Sequence, residues 1–157
     1  MINVFEPEVS IKHYRQIYKT LRNKELSGSS QIVQEFEQNI ANYFDREFCI
    51  STSNGSNSLD LALNCFDFKK HDEVIIPSFT IISCLAAVVR SGATPVFCDV
   101  DVDTWNMTLD NLKSAVTKKT KAVLMVHTYG LAAEADLIYD YCKKKGLILI
   151  EDSAEAH

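Results

Sequence analysis

Three segments of the chain follow apolar, strand-like runs and carry the side chains from which a site could be built. The first is Thr52-Ser53-Asn54-Gly55-Ser56-Asn57-Ser58. Gly55 lets a ligand approach the backbone closely. The N–H groups of Gly55, Ser56 and Asn57 would point out of a helix N-terminus, where an anion is favoured. The lysine and glycine spacing of a Walker loop is absent, and an ordinary capped turn reads the same way. The second is Pro77-Ser78-Phe79-Thr80-Ile81-Ile82, a strand-to-helix turn. The third is Glu151-Asp152-Ser153-Ala154-Glu155-Ala156-His157, directly after Leu147-Ile148-Leu149-Ile150. A carboxylate at the end of a buried strand must pair with something or shift its pKa. For Asp152 the partner could be a metal, an arginine or a protonated ring nitrogen. No second ligand group of matching spacing stands upstream, so no metal site is expected.

Asp99-Val100-Asp101-Val102-Asp103 contains D-x-D twice, a pattern with which some nucleotide-sugar glycosyltransferases hold a divalent metal. It lacks the glycine and closing glutamate of an EF-hand loop. A solvated loop after a strand is the alternative.

The elements that must position these residues alternate. Two helices open the chain, about 10–22 and 31–44, with apolar residues at helical spacing. From Phe48 onward strands are expected at 48–52, 73–76, 95–98, 122–126 and 147–150. Helices are expected at 57–66, 80–90, 108–116 and 133–145, with Thr108 as an N-cap and Gly92 and Gly146 closing helices. Apolar strands alternating with helices predict an α/β fold, a mostly parallel sheet with helices on both faces. Ligands of such sheets sit at the carboxyl ends of the strands. The expected organisation is an N-terminal helical segment at 1–46 and part of an α/β domain at 47–157. The end at His157, just past a strand's functional edge, reads as a truncation point.

Composition narrows the classes. Of 157 residues 46% are hydrophobic and 24% charged, enough for one sizeable core. A net charge of -5 argues against nucleic acid or an anionic membrane as partner. The basic runs at Lys118 and Lys143 are short and suit solvated helix ends. Five cysteines without a C-x-x-C give neither a zinc site nor a disulfide framework. No signal peptide is visible and no apolar stretch approaches a membrane span, so a reducing, cytoplasmic setting is expected.

Five ordered stretches, SNGSNSLDLAL, DEVIIPSFTIIS, GATPVFCDVDVDTWNM, KTKAVLMVHTYG and LILIEDSAEAH, resemble the DegT/DnrJ/EryC1/StrS family of pyridoxal 5'-phosphate (PLP) dependent nucleotide-sugar aminotransferases. The resemblance runs from near the N-terminus to His157 and implies the large domain of a fold-type-I aminotransferase. It implies that the cofactor phosphate rests on Gly55 and Ser56. Asp152 would pair with the pyridinium nitrogen, Ala154 would lie by the ring face, and His157 would reach the cofactor region. Family members commonly place an aromatic residue where Ile81 stands, so an apolar cover replaces stacking. The resemblance places the Schiff-base lysine in a downstream motif that none of these lysines occupies, so no catalytic residue is assigned here and the chain alone should be inactive. It implies a homodimer that moves an amino group, with glutamate as usual donor, to a nucleotide-linked keto sugar. Members making perosamine- or viosamine-type 4-amino sugars are the most similar in wording. The rival readings are a metal-dependent glycosyltransferase using Asp101 and Asp103, and a non-catalytic assembly module.

Overall fold

The computed structural model describes residues 6–156, so His157 lies outside the described residues. The chain divides into two compact units, 1–51 and 52–157. The first holds α1 (Ile11–Arg22) and α2 (Gln31–Tyr43). None of α1's residues is buried. Its apolar stripe of Ile11, Tyr14, Ile17, Tyr18 and Leu21 stands exposed. The backbone N–H and hydroxyl of Ser51 both donate to Glu37 Oε1, each at 2.8 Å. Those two bonds, the backbone one first, hold the Glu37 carboxyl below its ordinary range.

One expected strand is absent: residues 48–52 form no ladder. Phe48 and Ile50 are exposed, and the Ser51 N–H is satisfied by a side chain instead. β-type composition describes a fit to a pleated, half-buried surface, and without a neighbouring strand it does not by itself make one.

The second unit follows the expected alternation. It contains α3 (Gly55–Asn64), β1 (Glu73–Pro77), α4 (Ile82–Arg90), β2 (Thr94–Cys98), α5 (Leu109–Ala115), β3 (Thr120–Val126), a 3-10 turn (Thr128–Gly130), α6 (Ala135–Lys145) and β4 (Ile148–Asp152). All pairings are parallel and the strand order is β2-β1-β3-β4. The sheet is apolar on both sides. Val74 and Ile76 of β1, with Ala122 and Leu124 of β3, pack under Leu59 and Leu63 of α3 and Cys84, Ala87 and Val88 of α4. Ile75, Val123 and Met125 point the other way, against Leu112 of α5 and Ile138 and Cys142 of α6. The period of two along each strand thus feeds two cores, which is why these strands read as unbroken apolar runs.

Of the boundaries that differ from expectation, two bear on the site. Helix α3 begins at Gly55, ahead of Asn57, because the Asn54 side chain caps it by accepting the Asn57 N–H at 2.9 Å. Strand β4 runs on past Ile150 to Asp152, because its ladder with β3 continues to the pair Val126↔Asp152. Thr108 caps α5 as expected, accepting the Asn111 N–H, and Gly146 closes α6 at φ +68°.

Candidate functional site

The chain leaves β1 for β2 on one side and then crosses to β3 on the other, so winding reverses at the β1/β3 boundary. A crevice opens at such a switch point beyond the carboxyl ends of the strands. A cleft of about 450 Å³ lies there. Its walls are Phe79, Thr80 and Ile81 after β1, Val126, His127, Thr128 and Tyr129 at and after the end of β3, and Asp152, Ala154 and Glu155 at and after the end of β4.

Asp152 is held on both oxygens. Oδ1 accepts the Ala154 N–H at 3.1 Å. Oδ2 accepts the Cys84 thiol at 3.6 Å. Cys84 is buried in the first turn of α4, with Thr80 Oγ1 3.2 Å from its sulfur. Burial pushes the Cys84 thiol up to about 11, with the charge of Asp152 adding to it. The thiol is therefore a neutral donor. Among the described residues no basic side chain forms an ion pair with Asp152. A carboxylate that only accepts, with no cation beside it, is suited to a positively charged N–H donor arriving through the cleft.

His127 is buried and uses both ring nitrogens. Nδ1 accepts the Ala133 N–H at 3.0 Å, so Nε2 carries the hydrogen that meets Glu151 Oε1 at 2.7 Å. It fastens the loop after β3 to β4. Across the cleft mouth Phe79, Trp105 and Tyr129 form an edge-to-face trio with centroids 5.2, 6.3 and 6.0 Å apart. Trp105 and Tyr129 both adopt left-handed backbone, at φ +57° and +53°. Buried Asn106 keeps their loops together, donating to Leu131 O at 2.8 Å and accepting the Thr128 N–H at 2.9 Å. Glu155 Oε2 accepts the Tyr129 N–H at 2.7 Å.

The expected anion turn stands next to this cleft and is not part of its wall. Gly55 opens α3, and a Cβ there would meet nothing within 4 Å; of the three N–H groups expected to face an anion, that of Asn57 is taken by the Asn54 side chain. Ser56 Oγ lies 2.8 Å from Ser83 Oγ in the first turn of α4. That turn is capped by Ile81, a wall residue that is itself well exposed. In the 99–103 run, Asp99 and Asp101 each turn one carboxylate oxygen onto their own loop. Asp101 Oδ1 accepts the N–H groups of Asp103 and Thr104 and the Thr104 hydroxyl, and the two Thr104 bonds lead in holding its carboxyl below the usual range.

Comparison with known proteins agrees with this geometry. The model of the DegT/DnrJ/EryC1/StrS aminotransferase family matches residues 9–157. The chain belongs to that family. It is similar to the GDP-perosamine synthase of Escherichia coli O157:H7, 34% identical over 155 residues that make up 99% of this chain and 43% of that protein. Its fold is similar to the crystal structure of an aminotransferase from Psychrobacter cryohalolentis, with a TM-score of 0.90, 34% identity, and coverage of 96% of this chain and 38% of that one. A putative sugar aminotransferase from Streptococcus pneumoniae, solved in its PLP form, gives a TM-score of 0.85 at 26% identity, covering 96% of this chain and 42% of that one. The chain spans about two fifths of the length of the curated relatives it matches.

For an aminotransferase of this family the donor set fits the cofactor. Asp152 has acceptor oxygens that could meet a ring nitrogen, Ile81 and Ala154 flank the same cleft, and the Gly55 and Ser56 N–H groups at the head of α3 could meet a phosphate. Among the described residues no lysine lines the cleft. Cys84, His127, Glu155 and the aromatic trio went unassigned in the sequence reading. All but Cys84, which directly follows the second of them, lie within the motifs that carry the resemblance, and nothing local marks Cys84 or His127 as facing a site.

Proposed function

We propose that residues 52–157 supply the cofactor-holding part of a PLP-dependent aminotransferase acting on a nucleotide-linked 4-keto-6-deoxy sugar, with glutamate as amino donor and an amino-dideoxy sugar as product. Bound PLP supplies an electron sink through which an amino group passes from donor to keto sugar. In this reading Asp152 keeps the ring nitrogen protonated, and Ala154 and Ile81 shape the space on the ring faces. The Gly55-Ser56 turn takes the phosphate at the positive end of α3. Covalent attachment belongs to a lysine that is not among those of this chain. The protein works as a homodimer in the cytoplasm, which suits its five unpaired thiols.

The observation that carries this reading is the Asp152 carboxylate, doubly held and without a basic partner among the described residues, in the wall of a cleft at the switch point. The glycosyltransferase alternative loses its support because Asp101 is committed to its own loop. The test is the affinity of the 157-residue chain for pyridoxamine 5'-phosphate (PMP), which needs no lysine to bind. Asp152→Asn keeps the shape and removes the charge. Replacing a charge-assisted hydrogen bond by a neutral one costs roughly 1–2 kcal/mol, so binding should weaken about 5- to 30-fold. Equal affinity in both proteins would remove Asp152 from the cofactor site.

A further inference from the structure

We propose that Cys84 is the positioning residue for Asp152, fixing the carboxylate's rotamer from beneath the cleft through a one-way chain of donors that begins at Thr80. This deepens the cofactor reading above and rests on it for its purpose, though the Cys84–Asp152 contact is independent of any ligand.

The geometry sets the direction of the chain. The Cys84 thiol donates to Asp152 Oδ2 at 3.6 Å. Its hydrogen being so used, the sulfur can only accept at its other contact, so the Thr80 hydroxyl donates to it at 3.2 Å. Hydroxyl, thiol and carboxylate therefore point their dipoles the same way, toward the negative charge, and each bond strengthens the next. The remaining oxygen of Asp152 accepts the Ala154 N–H from the opposite side. With one donor assigned to each oxygen, rotation of the carboxylate breaks a bond, and each oxygen keeps a lone pair for a ligand of the cleft that Asp152 lines.

The location also favours a positioning role over plain core filling. Cys84 belongs to the apolar cluster under α3 and α4, where valine or alanine would pack as well and leave Asp152 with an unmatched oxygen. Burial keeps the thiol protonated, and so a donor, across the neutral range. Cys84 is adjacent to Ser83, whose hydroxyl meets Ser56 at the head of α3. One helical turn thus touches both the carboxylate and the anion turn, and the spacing of the two is set by rigid backbone.

The test compares Cys84→Ser, which keeps a donor, with Cys84→Val, which keeps apolar volume and loses the donor. Two readouts need no ligand. The S–H stretching band of Cys84, isolated as the infrared difference between wild type and Cys84→Ala, should shift when Asp152 is changed to Ala. NMR couplings at the Asp152 β-protons should report one rotamer in wild type and Cys84→Ser, and an average in Cys84→Val. The third readout is PMP affinity. The thiol is a weak donor, so its bond to the carboxylate is worth about 0.5–1.5 kcal/mol; Cys84→Val should bind about 2- to 13-fold more weakly, and Cys84→Ser should restore the affinity. The backbone NMR spectrum of each variant establishes that it is folded. A single Asp152 rotamer in folded Cys84→Val, or an S–H band indifferent to Asp152→Ala, overturns the proposal. If wild type binds no PMP while Cys84→Val still frees the Asp152 rotamer, the cofactor reading fails and the positioning role stands.

Discussion

Gly130 sits at the turn that closes over the end of β4, and its replacement by alanine separates two costs that usually arrive together. Its φ is +82°, and a Cβ there would stand 3.0 Å from the carbonyl oxygen of Glu155. Gly146, at φ +68°, has nothing within 4 Å of the same ideal position. Left-handed backbone costs an L-residue about 1–2 kcal/mol, and the stiffer unfolded chain returns about 0.4–1 of that. Gly146→Ala should therefore destabilise by about 1 kcal/mol. Gly130→Ala carries the same cost plus a contact that neither backbone can relieve without moving. Overpacking of this kind adds about 1–3 kcal/mol, for a total of about 2–4. With a urea slope of about 2 kcal/mol/M the midpoints should fall by about 0.5 M and about 1–2 M. Trp105, the one tryptophan, lies beside Tyr129 at a centroid distance of 6.0 Å and reports the transition by fluorescence. The displaced 153–155 turn carries Ala154, so PMP binding should weaken in Gly130→Ala and stay unchanged in Gly146→Ala. Equal midpoints for the two variants would refute the steric argument.

Thr108→Ala removes the side-chain cap of α5 and should cost about 1 kcal/mol in urea unfolding. Asp101→Ala breaks the bonds that order the loop before Trp105. It should shift tryptophan emission and leave calorimetric titration with manganese as flat as in wild type; a wild-type affinity lost in the variant would revive the metal reading. Burial pushes the thiols of Cys84, Cys98 and Cys142 up to about 11 from an ordinary 9.0. The folded state then holds more protons than the unfolded one between those values. The contribution of these thiols to stability is full below about pH 9 and is lost as pH rises through about 11. Cys142→Ala should flatten that decline, as followed by urea midpoints across the window.

The sheet was legible because β1 and β3 are buried on both faces and so read as apolar runs between amphipathic helices. The place of Asp152 in the cleft wall was legible because it follows an apolar run at the carboxyl edge of the sheet. The expected strand at 48–52 failed on the same composition argument that succeeded elsewhere, since pairing partners are not written locally. Cys84 meets Asp152 across 68 positions of sequence, and only the β1-β3-β4 order brings them together. The aromatic trio was hidden for a different reason. It depends on Trp105 and Tyr129 taking left-handed backbone, which residue type disfavours and which Asn106 and Glu155 stabilise from distant loops.

The measurement that bears most directly on the cofactor reading is a titration of the 157-residue chain with PMP, followed residue by residue in its NMR spectrum. Binding should be saturable, with shifts concentrated at Thr80, Ile81, Asp152 and Ala154 around the cleft and at Gly55 and Ser56 at the head of α3, and inorganic phosphate should move the last two alone. Shifts scattered over the surface, or none at Asp152 under saturating PMP, would contradict it.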